Sequence, residues 1–154
     1  MSAAVPMVQH MAPPFGKGLV LPVYRGEFGP RRKNYERLVA PHRELGVRIY
    51  LLTVPFGVVP ESKYFQVGQL IDDSTPYSDR HALRSTILNV RRWLMVDAPR
   101  HDRVVFLGYG EGGYIWSRAL KGLYPSNLRH VGVNRRSRGI DSSMLPKKIS
   151  GALK

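Results

Sequence analysis

The chain predicts an α/β fold: a three-layer, mostly parallel sheet of about four strands, with an extended N-terminal arm and a basic C-terminal tail. Three observations predict it. Apolar-rich stretches at Leu19 to Val23, Val47 to Val54, Val104 to Leu107 and Leu128 to Val133 read as strands, the continuous run Val104 to Leu107 as one buried on both faces. Stretches with helical spacing of apolar residues separate these runs, so the element order is βαβαβαβ. The third strand turns on a cluster of glycines directly into a helix, which is where α/β proteins place their chemistry.

Taken in order, residues 1–16 carry prolines at 6, 13 and 14 and neither Lys nor Arg. This matches neither a signal peptide nor an Arg-rich transit peptide and reads as an extended arm. In the first strand Pro22 lacks a donor and belongs near the strand end. A glycine-rich loop comes next, Tyr24 to Pro30. Arg31 to Leu45 has helical spacing, with Tyr35, Leu38, Val39 and His42 on one side and Gly46 as its stop. The second strand closes at Pro55-Phe56-Gly57. Val58 to Ser78 has no clear period and reads as a long connection with one helical turn. Asp79 to Val96 is the longest helix, with Leu83, Ile87, Val90 and Leu94 making one apolar face. Arg80, Arg84 and Arg91 form a second stripe on it, within about 40° of one another. After the glycine turn a helix is expected at Tyr114 to Leu123, then the fourth strand, then a tail. The organisation is therefore an arm (1–16), an α/β domain (17–134) and a basic tail (135–154).

Composition narrows the class. A chain of 154 residues makes one domain, large enough to bury roughly 70% of its unfolded surface. No apolar run approaches the ~20 residues of a membrane span. Cysteine is absent, which excludes disulfides and thiolate metal sites. The net charge of +13 favours a polyanionic partner: RNA, acidic protein or anionic lipid headgroups.

Two motifs compete for the glycine turn. Gly108-Tyr109-Gly110-Glu111-Gly112 is a G-x-S-x-G nucleophile elbow with Gly110 where serine belongs. Gly108, Gly110 and Gly113 also spell G-x-G-x-x-G, the dinucleotide fingerprint, and Arg135 after the next strand suits the 2′-phosphate of NADP. The wider chain bears on the choice. LVLPVYRG, NYERLVAPHRELGVRIYLLTVPFG, DRVVFLGYGEGG and YPSNLRHVGV resemble, in order, elements of the first half of the α/β-hydrolase family, over roughly residues 19–134. That resemblance implies a parallel sheet with 103–107 beside 19–23, 47–54 on the latter's far side and 128–133 beyond the former. It also implies lost catalysis. Gly110 has no side chain to attack with, and the family's acid and histidine come from later strands than these. His42 and His130 read as packing or surface residues, and Glu111 as a cap for the helix N-terminus.

The expectation is a pseudoenzyme without a cofactor: a structural subunit of a large mitochondrial assembly. A mitochondrial ribosome with rRNA contacts comes first, and a respiratory-complex or ATP synthase accessory subunit second. The candidate partner contacts are Arg31, Arg32, Lys33, Arg80, Arg84, Arg91, Arg135, Arg136, Arg138, Lys147 and Lys148. Each cluster alone also suits an ordinary solvated face; their shared sign is what points to phosphates.

Overall fold

The computed structural model describes residues 14–22, 32–66, 80–108, 110–132 and 144–154. In chain order the elements are β1 (Lys17–Pro22), α1 (Arg32–Glu44), β2 (Arg48–Thr53), β3 (Gly57–Pro60) and α2 (Glu61–Gln66). Then come α3 (Arg80–Val96), a 3-10 turn at Ala98–Arg100, β4 (Arg103–Gly108), α4 (Gly110–Ala119), β5 (Leu128–Gly132) and α5 (Leu145–Leu153). One mixed five-stranded sheet runs β3-β2-β1-β4-β5. β1 pairs in parallel with β2 and β4, and β4 with β5, so the four expected strands stand in the expected order.

The fifth strand corrects the expectation of about four. β3 pairs antiparallel with β2, from Thr53 opposite Gly57 to Tyr50 opposite Pro60. Sequence pattern hides it because Val58-Val59, between Gly57 and Pro60, is too short to show a period. Gly57 makes the hairpin: its φ is +89°, and a Cβ there would lie 2.8 Å from the Asn89 Cβ.

Alternation along the strands divides the core into two clusters. On one face Leu19, Leu21, Ile49, Leu51, Val105 and Leu107 pack with Tyr35, Leu38 and Val39 of α1 and with Leu145, Ile149 and Leu153 of α5. On the other, Val20, Tyr50, Leu52, Val104 and Phe106 pack with Val90, Trp93 and Leu94 of α3 and Ile115, Trp116 and Ala119 of α4. The Phe106 ring stacks on Trp116 at 4.3 Å between centroids, with the ring planes nearly parallel at 6°. β1, β2 and β4 read as nearly unbroken apolar runs because both faces are covered.

Two further differences from the expectations have physical reasons. Residues 145–154, assigned by composition to a basic tail, contain a helix. Leu145, Ile149 and Leu153 recur every fourth residue, make one stripe and are buried, while Lys147 and Lys148 point outward. Pro146 in its first turn fits a helix start. The helix after the glycine turn begins at Gly110, four residues before the expected Tyr114, and ends at Ala119 rather than Leu123. Glycine lowers local helix propensity, so the sequence understates a helix that tertiary packing imposes. Residues 1–13 of the arm and 135–143 of the tail, together with 23–31 and 67–79, fall outside the described residues.

Two histidines are buried, each 1% exposed. His101, its pKa lowered by burial, donates from Nδ1 to the Gly16 carbonyl (3.3 Å) and in its neutral form accepts from the Tyr50 hydroxyl at Nε2 (2.9 Å). His42 lies in α1, and among the described residues its Nε2 has no partner.

Ile149→Ala is expected to destabilise the chain by about 2–5 kcal/mol in urea unfolding, as a core deletion does and a tail substitution does not. Stability is also expected to depend on pH. Burial pushes the pKa of both His42 and His101 below the usual 6.5. The unfolded chain therefore binds these protons more readily than the folded one, so their contribution is complete above pH 6.5 and is lost as pH falls below it. Thermal melts between about pH 7.5 and pH 5 should show Tm falling, and the fall should be smaller in His42→Leu.

Candidate functional site

The glycine turn sits where the sheet's connections diverge. From β1 the chain moves toward β2, and from β4 toward β5, so the C-terminal ends of β1 and β4 flank a topological switch point. β4 ends at Gly108 and α4 begins at Gly110; Tyr109 lies outside the described residues.

Close packing accounts for two of these glycines. A Cβ on Gly112 would lie 2.4 Å from the Pro22 Cβ, because the first turn of α4 presses on the end of β1. A Cβ on Gly108 would lie 2.0 Å from the His130 Nε2, because that imidazole lies across the backbone of β4. Gly113 meets nothing within 4 Å. Pro22 and His130 thus pack against the two glycines of the turn. Pro22 has no N–H to offer a phosphate, and Gly110 supplies no nucleophile.

The basic candidates separate into distinct groups. Arg80 and Arg84 are exposed along the outer side of α3. Arg91, the third of that stripe, is engaged elsewhere: its Nη1 donates to the carbonyls of Ala119 (3.1 Å) and Lys121 (2.6 Å), satisfying the orphan end of α4. It ties α3 to α4. Lys147 and Lys148 are exposed on α5, across the sheet from α3. Arg32 and Lys33 open α1. Arg31, Arg135, Arg136 and Arg138 lie outside the described residues. The described candidate cations Arg80 and Arg84, on one face of the sheet, and Lys147 and Lys148, on the other, therefore do not converge on one patch.

Sequence reading missed two clusters. At the N-terminal end of the parallel strands, Phe15 packs on His101 (5.4 Å between centroids), and the guanidinium groups of Arg48 and Arg100 lie 4.1 and 4.7 Å from its ring. The Phe15 N–H donates to the Arg100 carbonyl (3.0 Å), and that of Asp102 to Gly16 (2.7 Å), which pins the segment before β1. At the other side, Arg43 of α1 grips Glu61 of α2 with Nε (2.9 Å) and Nη2 (2.5 Å), and reaches Glu36 with Nη1 (3.0 Å). The Tyr35 hydroxyl donates to the same Glu61 carboxylate. Burial first, then that carboxylate, pushes the Tyr35 pKa up, and the bond to Glu61 raises that of Arg43. A carboxylate so held acts as a clamp between elements rather than as a base. Neither cluster has a sequence motif, because its members come together only through folding.

Among the described residues no group of three or more His, Cys, Asp or Glu side chains is placed to hold a metal ion. Among them, too, no helix is long and apolar enough to cross a membrane.

The two packing environments at the turn make a paired prediction. Gly112→Ala should destabilise the chain by about 1–3 kcal/mol through overpacking against Pro22. Gly113→Ala, in open space within a helix, should stabilise it by roughly 0.5–1 kcal/mol. Chemical denaturation of both variants checks the contrast. Compared with known proteins, the chain matches no family model, no curated protein and no solved structure.

Proposed function

We propose that this chain is a non-catalytic structural subunit of a large organellar assembly, a mitochondrial ribosome, in which its cations meet rRNA phosphates. The observation that carries the reading is the distribution of positive charge. Arg80 and Arg84 project from a helix on one face of the sheet, and Lys147 and Lys148 from a helix on the other. An enzyme that steers an anionic substrate concentrates charge at one cleft. Charge on both faces of a +13 chain suits a subunit surrounded by polyanion.

The non-catalytic part of the reading is supported at the turn. Gly110 stands at the nucleophile position, and the glycines on either side of it, Gly108 and Gly112, are packed against His130 and Pro22. The strand order supports a degenerate α/β-hydrolase-like ancestry, in which the elbow is kept as a packing device.

A second reading has its own observation. Leu88, Met95 and Val96 are 63%, 58% and 58% exposed on α3. Apolar side chains on the helix that bears Arg80 and Arg84 favour a protein neighbour, as in an accessory subunit of a respiratory complex or ATP synthase.

Titration of the full chain with single-stranded RNA at several salt concentrations tests the first reading. Binding should weaken linearly on a log–log plot, by about 0.7 per phosphate neutralised. Replacing Arg80 and Arg84 with Gln should flatten that slope by about one to one and a half units. Absence of RNA binding at low salt would overturn the ribosomal reading and favour the second.

A further inference from the structure

β5 closes one side of the sheet, and among the described residues no strand pairs with its outer edge. The register reveals what that edge offers. The Val104 N–H donates to the Asn127 carbonyl (2.9 Å), with Val104 opposite Leu128. In a parallel ladder every second residue serves one neighbour. Asn127, Arg129 and Val131 therefore face β4, and Leu128, His130 and Gly132 turn their N–H and C=O groups outward.

The same residues floor a groove. Leu128 and His130 line a cavity of about 410 Å³ whose walls are Trp116, Leu120, Leu123 and Tyr124. Tyr124 is 94% exposed, so the outer wall stands clear of the body of the chain. Among the described residues no carboxylate lines the groove. The one permanent charge among its described lining is Arg129, whose Nη1 donates to the carbonyls of Ser126 (2.8 Å) and Leu128 (2.9 Å). That pair of bonds fixes a guanidinium beside the strand edge. The opposite edge of the sheet differs: β3 has four residues and ends in Pro60, which has no N–H to pair.

We infer that the β5 edge and its groove form a docking site for an extended acidic segment of a partner protein. The segment adds a strand beside β5, pairs with the main chain of His130 and Gly132, seats a large apolar side chain in the groove and sets a carboxylate on Arg129. Alternation of side chains along a strand delivers an apolar group to the groove face while the backbone satisfies the edge. A second copy of the chain would bring Arg129 against Arg129 and +13 against +13. RNA would answer the guanidinium but leave the apolar groove unfilled. The inference deepens the reading of the chain as an assembly subunit, on which it rests, by naming the chemistry of one neighbour.

The test uses the full chain and three fluorescent peptides of about eight residues. One alternates Val or Leu with Glu, one has Lys in place of each Glu, and one is the Glu peptide N-methylated along the edge that would pair. The Glu peptide should bind and shift the NMR amide signals of Leu128, His130 and Gly132. The Lys and N-methylated peptides should bind at least about tenfold more weakly. Arg129→Glu should reverse the Glu-over-Lys preference, and Tyr124→Ala, at an exposed site that leaves folding intact, should weaken Glu-peptide binding about fivefold. No binding at millimolar peptide, equal binding of the Glu and Lys peptides, or shifts confined to other residues would overturn the inference. So would self-association through β5 in sedimentation, or RNA shifting these same amides. RNA binding through Arg80 and Arg84 is read at other residues, so the ribosomal reading and the docking site fail separately.

Discussion

β1 is the constraint on which the rest depends. It is hydrogen-bonded to a strand on each edge, and Leu19, Val20 and Leu21 are fully buried. A strand enclosed on both edges and both faces requires helices above and below the sheet, and α1 with α5 and α3 with α4 meet that requirement. The end of β1 also constrains the helix after β4. Pro22 leaves no room for a side chain at position 112, so α4 approaches only because that residue is glycine. One buried strand thus sets the layers, the strand order and the chemistry of the turn.

That packing bears on function. In an active elbow the turn holds a reactive side chain in a constrained backbone; here the turn brings a helix against a strand end, with an imidazole laid over the preceding glycine. Three polar side chains set inside the fold or at its seams have structural partners. Arg91 closes the end of α4, Arg43 joins α1 to α2 through Glu61, and His101 links Tyr50 to Gly16. Arg80, Arg84, Lys147 and Lys148 are left to act outward.

The charge has an energetic consequence. A chain at +13 carries self-repulsion that opposes compaction. A polyanion that bound only the folded form would offset this by mass action and so link stability to assembly. The binding inferred along β5 would add to the same linkage, since it needs a register that exists only in the folded sheet.

Apolar runs and glycines made much of the fold legible. The four longest strands, α1 and α3 are evident from patterns confined to neighbouring residues, and Gly46, with φ +84°, ends α1 as expected. The sequence by itself also determined that position 110 carries no nucleophile and that the net charge is strongly positive. Other features lie beyond local pattern. β3 is too short to show a period, and the stripe of α5 is masked by its lysines. The roles of Gly112 and Gly108 depend on Pro22 and His130, which approach only when the sheet assembles. Arg91 resembles any surface cation until α4 ends within its reach. The Arg43–Glu61 clamp, the seat of Phe15 between two arginines and the edge of β5 were likewise decided by tertiary structure. The physical reason is common to them: each is a contact between segments far apart in the chain, and a linear pattern records only the spacing of neighbours.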